Sequence, residues 1–242
     1  MNLILLFKRD FISKNTARLT GRRHKHIVEH LHSKIGDELC VGLVNGKIGI
    51  GKITKFDHEA AELKVKTKNL PPKPLPLTLV VALARPNVFK RVLLSASSLG
   101  IKNIFILNFN RVEKSLWQSS ALQPEAIEEQ LVLGLEQARD TVMPTVELRK
   151  RFKPFVEDEL PELIKGKLAL VAHPDVKKIL PSTKSFKSIV LVVGPEGGII
   201  PYELQQLEKL GVIPFSLGER ILRVETVIPY ILGKLARNTQ TH

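Results

Sequence analysis

Three short stretches of the chain hold residue types able to bind or polarise a ligand, and each follows an apolar run. The first is Val193–Gly194–Pro195–Glu196–Gly197–Gly198. Three glycines and a proline in five positions force a tight loop with backbone angles closed to larger residues, and they let a ligand approach backbone amides. The loop lacks the Gly-Lys-Ser/Thr of a phosphate loop and is not Gly-x-Gly-x-x-Gly. It fits a ligand cradle and, equally, a plain turn before a helix. The second stretch is Leu217–Gly218–Glu219–Arg220–Ile221–Leu222–Arg223–Val224–Glu225–Thr226. Its two guanidinium groups can stabilise developing negative charge, and its carboxylates can orient them or take up a proton. It also fits a charged helix start, with Glu225 and Thr226 in the first turn. The third is Ala172–His173–Pro174–Asp175, where His173 is either a site residue or a turn residue preceding proline.

The elements that must position these stretches alternate in type. Apolar runs at Leu77–Leu83, Asn103–Leu107, Lys167–Ala172, Ser188–Val193 and 212–216 predict buried strands. Helical spacing appears at Val88–Leu99, with Phe89, Val92, Ala96 and Leu99 on one face and Gly100 as its stop. It recurs at Pro124–Arg139, with Ile127, Leu131, Leu135 and Ala138 as the stripe, and at Pro201–Leu210 and Val224–Leu235. Alternating strands and helices predict an α/β domain with a mostly parallel sheet, and ligands in such sheets bind beyond the carboxyl ends of the strands. All three candidate stretches fall at such ends.

The N-terminal part reads differently. Met1–Phe7 predicts a first strand. Leu39–Val44 and Lys47–Thr54 flank an Asn45–Gly46 turn, and Glu62–Thr67 alternates apolar with basic residues. The stretch from Lys14 to Gly36 is polar and basic, with at most one short helix expected. Four prolines between Leu70 and Pro76 make a stiff connector. The expected organisation is a small β-barrel over 1–70, a linker over 71–76 and the α/β domain over 77–242.

Composition narrows the partners. Lysine and arginine number 37 against 24 aspartates and glutamates, a formal net charge of +13. Such a surplus favours a polyanion, because neutralising phosphates releases counterions. Arg9, Arg18, Arg22, Arg23, Lys25 and His26 are the expected nucleic-acid-binding residues of the first part. The single cysteine, Cys40, excludes an intrachain disulfide and reads as a core residue. No run approaches the ~18 apolar residues of a membrane span, and the start lacks the marks of a secretory signal, so a cytoplasmic protein is expected. His24, His26, His30 and His32 lack a completing cysteine, and no metal is expected.

Val192–Gly198 together with Leu217–Thr226 closely resembles the SPOUT-class methyltransferases, and within them the RsmE family, which methylates N3 of a uridine in small-subunit (16S) ribosomal RNA. The resemblance runs along the chain: Arg22–His24 and Ile35–Glu38 are similar to that family's PUA-like N-terminal barrel, and Ser97–Gly100, Asn110–Val112, Glu136–Arg139 and Pro144 follow in the family's order. It implies a trefoil-knotted domain, a homodimer, and S-adenosylmethionine held by Ala172, His173, Pro174, by Val193, Gly194, Pro195, Glu196, Gly197, Gly198, and by Leu217, Gly218, Ile221 and Leu222. Four features depart from the family pattern: Glu219 stands for proline, Val224 for threonine, serines occupy 95, 97 and 98, and Pro229 lies early in the last helix.

For such a reaction no covalent nucleophile is required; donor and acceptor must be held in line. Uridine N3 carries a proton and lies on the pairing edge, so the base must be unpaired. Arg223 first, then Arg220, are the candidates to favour the deprotonated base, with Glu225 or Glu196 to orient an arginine or take the proton. Two other readings stay open: ribose 2′-O methylation, and a knot protein that grips ribosomal RNA without methylating it.

Overall fold

The computed structural model describes residues 2–180 and 188–236. The chain divides into two compact units, one comprising Met1–Lys73 with Val132–Met143, the other Pro74–Leu131 with Pro144 onward.

In the first unit six strands form one sheet in the order β1-β4-β5-β6-β3-β2: β1 (Ile4–Leu6), β2 (Phe11–Ser13), β3 (Thr16–Leu19), β4 (Glu38–Leu43), β5 (Ile48–Phe56) and β6 (Ala61–Asn69). Helix α1 (Gly21–Glu29) follows β3. Two strands, β2 and β3, lie in or beside the stretch expected to hold at most one short helix. β3 is only four residues long and buries Ala17 and Leu19 alone, too little alternation to register as a pattern. Ile4, Leu6, Ala17, Leu19, Ile27, Val41, Ile53 and Leu63 form the core on one face. The recorded pairing runs from edge to edge, so the sheet is open. Arg23 ties its two ends: it donates to the Leu5 carbonyl of β1 at 2.9 Å and makes a two-pronged pair with Asp10, just before β2, at 2.6 and 2.7 Å.

In the second unit β7 (Leu77–Ala82), β8 (Asn103–Leu107), β9 (Thr145–Arg149), β10 (Leu168–Ala172), β11 (Ile189–Val193) and β12 (Ile213–Phe215) form a sheet in the order β12-β10-β11-β7-β8-β9. Every pairing is parallel. β7 and β11 are buried throughout, as continuous apolar runs covered on both faces must be. Each fully buried Val or Leu there contributes about 1.5–3 kcal/mol over leaving it in water. The helices are α2 (Pro86–Ser98), α3 (Pro124–Ala138, whose last turns belong to the first unit), α4 (Phe152–Pro154), α5 (Leu160–Ile164), α6 (Pro201–Lys209) and α7 (Val224–Ala236).

Three features correct the sequence expectation here, and a fourth bears it out. β9 was not foreseen: Val146 and Leu148 are its apolar residues and it forms a half-exposed edge, so its signal is weak. The turns over 152–164 were not foreseen either. Pro154 and Pro161 suggest breaks, yet a π-helical segment (Phe155–Glu159) joins α4 to α5 and buries Phe155, Val156 and Leu160. The buried face of α2 is wider than expected, because Leu93 and Ser97 are fully buried while Leu99 is only partly so. Ser97 answers its own burial by donating to the Leu131 carbonyl at 2.7 Å. Finally, Pro229 lies inside α7 without ending it; Ile228, Ile231 and Leu235, all at zero exposure, hold the helix down.

Candidate functional site

The strand register explains why the three stretches meet. Ala172, the last residue of β10, is the lateral partner of Val193, the last of β11, and of Phe215, the last of β12. Parallel neighbours that end in register must release their loops at one edge of the sheet. The loops after β10, β11 and β12 accordingly line one hollow of about 700 Å³. All the expected cofactor residues, 172–174, 193–198, 217–218 and 221–222, border it, as do Arg220, Arg223, Glu225 and Glu196. Glu219 is exposed and is not part of the lining.

Local chemistry shapes each loop. At Gly194 a Cβ would sit 2.4 Å from Ile199 Cγ1, so only glycine lets the loop fold back against Ile199. Gly198 has φ +80, a left-handed angle costly for side chains that branch at Cβ, and its N–H closes the turn on the Pro195 carbonyl at 2.8 Å. Glu203, 2% exposed in the first turn of α6, accepts from the Ile200 N–H at 3.3 Å and the Asn110 N–H at 2.7 Å. One carboxylate thus caps α6 and fastens the loop after β8 beside the glycine loop. His173 is held as a turn residue: its N–H donates to the Phe215 carbonyl, and its Nδ1 accepts from the Asp175 N–H at 3.3 Å. Ser216 hydroxyl binds both the N–H and the carbonyl of Gly218 at 3.2 Å, fixing the turn into the arginine-bearing loop.

The charged groups divide into engaged and available. Glu225 is 14% exposed and faces Arg91 at 3.7 Å. Glu196, Arg220 and Arg223 are exposed and make no ion pair among the described residues. The backbone N–H groups of Leu217, Ile221 and Leu222 likewise have no hydrogen-bond partner among the described residues. The site therefore offers a glycine cradle, apolar walls, free amide donors and two arginines without counterions.

Three contributors were not foreseen. Arg85 and Arg111 border the hollow from the loops after β7 and β8, and Arg111 donates to the Gly197 carbonyl. Glu203 was read only as part of a helix. The usable signal for Arg111 was its position four residues past the end of β8, at the same sheet edge as the other loops.

The expected RNA-binding residues of the first unit are placed unequally. Arg23 is committed to Asp10 and Leu5, and Arg22 pairs with Glu136 at 2.7 Å. Arg9 lies over the Phe7 ring at 4.5 Å. Lys25 is exposed beside Glu29, and Arg18 is exposed on β3. Burial, with His30 and Arg22 nearby, lowers the His26 pKa. Among the described residues no group of three or more His, Cys, Asp or Glu side chains is placed to hold a metal ion, and no helix is long and apolar enough to cross a membrane.

With this geometry in hand, comparison with known proteins is direct. The sequence pattern of the RNA methyltransferase domain family matches residues 71–236. The chain is 27% identical over 226 residues to ribosomal RNA small subunit methyltransferase E 1 of Borreliella burgdorferi, covering 93% of each chain. In structure it is similar to ribosomal RNA small subunit methyltransferase E from Neisseria gonorrhoeae bound to S-adenosyl methionine, with TM-score 0.74, 21% identity, and coverage of 98% of this chain and 96% of that one. It is also similar to a methyltransferase from Legionella pneumophila in complex with the same cofactor, with TM-score 0.75, 20% identity and 98% coverage of both.

Proposed function

The chain belongs to the RNA methyltransferase family, and from that premise we propose that it methylates small-subunit (16S) ribosomal RNA at N3 of a uridine, with S-adenosylmethionine as methyl donor. The observation that carries the reading is the convergence of three strand-end loops on one hollow bordered by two arginines without counterions.

The residues present fit that cofactor. A hollow of about 700 Å³ lies within the usual size of small-ligand sites. The close approach at Gly194 keeps a backbone wall free of side chains. Unpartnered amides at 217, 221 and 222 would be available to its adenine, and Val193 and Leu222 would supply apolar wall to it. When bound, S-adenosylmethionine supplies an electrophilic methyl group on a sulfonium.

The chain's own work is positioning and charge. Arg223, first, and Arg220 border the hollow and, with the base bound there, would favour its N3-deprotonated form. Glu225, already facing Arg91, suits orientation rather than proton uptake. Glu196, exposed on the glycine loop, is the better proton acceptor. Arg111 and Glu203 hold the glycine loop and its neighbour in place.

The same proposal includes the trefoil knot, the homodimer, a cytoplasmic location and a PUA-like, RNA-binding first unit. β12 forms the sheet edge beside β10, so the three loops that would make up the knot leave neighbouring strands, β12, β10 and β11. The Arg23 tie between the sheet's two ends supports the barrel-like reading.

Calorimetry with S-adenosylmethionine, followed by mass mapping of methylated small-subunit RNA, tests the function. The expected outcome is cofactor binding and a methyl group on a uracil base. A methyl group on ribose replaces the N3 reading with 2′-O transfer; no cofactor binding at all replaces it with a non-catalytic RNA-binding protein.

A further inference from the structure

The outward face of the first unit's sheet is divided in two. On the β1–β4 side Leu3, Leu5, Cys40 and Ile48 pack under Val132 and Leu135 of α3. On the β5–β6 side the outward residues include four exposed lysines, Lys52, Lys64, Lys66 and Lys68. Register places Lys52 directly opposite Lys64, and Ile50 opposite Lys66; Lys68 continues the row along β6. The inward residues between them, Ile53, Leu63 and Val65, are buried, so this orientation is imposed by the core.

A like-charge pair across two strands destabilises the sheet. Among the described residues none of these four lysines makes an ion pair. Glu62 faces Lys55 at 3.2 Å instead, and Glu38, opposite Lys52 on β4, forms no ion pair. Alternate residues on a strand stand about 7 Å apart, a spacing that consecutive phosphates of an extended strand can follow. Ile50, 48% exposed, adds an apolar step among the ammonium groups. Such a face is unfavourable alone and favourable against a polyanion, because each neutralised phosphate releases counterions.

We propose that the face formed by Lys52, Lys64, Lys66 and Lys68 is a binding surface for the phosphate backbone of RNA. The inference rests on the reading of the substrate as RNA, and it adds the β5–β6 sheet face to the RNA contacts expected of this unit.

The test uses the full-length chain carrying K52Q, K64Q, K66Q and K68Q, with fluorescence anisotropy against in vitro transcribed small-subunit ribosomal RNA over a potassium chloride series. The expected result is an affinity lowered roughly tenfold or more at physiological salt and a log–log salt slope shallower by roughly 3. The melting temperature should hold or rise, since a repulsive pair is removed, and S-adenosylmethionine affinity should not change. The K64Q/K66Q pair should show half the change in slope, so the result does not depend on the fourfold variant. Unchanged affinity and slope overturn the proposal. So does binding of the parent chain to anionic phosphatidylserine vesicles with none to RNA. Failure of the parent to bind S-adenosylmethionine would defeat the methyl-transfer reading while leaving the salt-slope result decisive for this one.

Discussion

Two pairs of arginines have opposite fates in this molecule. Arg22 and Arg23, in the first unit, each meet a carboxylate, Glu136 and Asp10, that is itself almost fully withdrawn from water. Arg220 and Arg223, at the hollow of the second unit, are exposed and have no ion-pair partner among the described residues. The residue type is the same; the sequence neighbourhood is basic around Arg22 and Arg23 and charge-balanced around Arg220 and Arg223. The difference is whether the fold delivers an acceptor. A guanidinium whose donors are used up inside the protein is a strut; one whose donors are left over at a strand-end hollow is available to a ligand.

The comparison can be broken most forcefully at Arg223. Arg223→Ala should lower methyl transfer by about 10²–10³-fold while cofactor affinity by calorimetry stays within about threefold of the parent. Equal losses in both would make Arg223 a cofactor residue. The opposite behaviour is expected at the strut. Asp10→Ala leaves Arg23 without its partner and the Phe7 N–H without its acceptor, and should remove about 3 kcal/mol of stability in urea unfolding. A stable variant with weakened RNA binding would reverse the assignment. Gly194→Ala should cost about 1–3 kcal/mol and weaken cofactor binding, because of the Ile199 contact; Ile199→Ala in the same chain should restore part of both. The smallest effect is in pH. Burial, outweighing Arg22, raises the Glu136 pKa. A carboxyl raised in the folded state adds stability below its unfolded pKa and loses it as pH rises through the folded value. The stability of the parent relative to Glu136→Gln should therefore fall as pH climbs past the ordinary glutamate range. A flat difference across that range would remove Glu136 as a titrating element.

Much of the second unit was legible because its signals are local. β7 and β11 are unbroken apolar runs, and α2 and α6 carry a clear periodicity. The glycine loop could be read as a candidate cradle because three glycines in five residues at a strand's carboxyl end suit close backbone approach, although a plain turn fitted the same residues equally. β9 and the turns over 152–164 escaped because their apolar residues are sparse and two prolines interrupt them. Arg85 and Arg111 escaped because nothing in their own segments marks a site; only the shared strand edge does. The internal partners of α1 were not legible either. Arg22, Arg23 and His26 looked like a basic surface, since the carboxylate that engages Arg22 lies more than a hundred positions away and Asp10 is hidden between short strands.

The sequence by itself determined the alternation of buried strands and helices, the positive charge and the three chemically able stretches, because hydrophobic period, ionisation and glycine content are properties of neighbouring residues. Tertiary structure alone decided that Ala172, Val193 and Phe215 end side by side, and which arginines find a carboxylate. It alone left Lys52 facing Lys64. Those outcomes depend on strand order and register, which bring distant residues together and are encoded in no single segment.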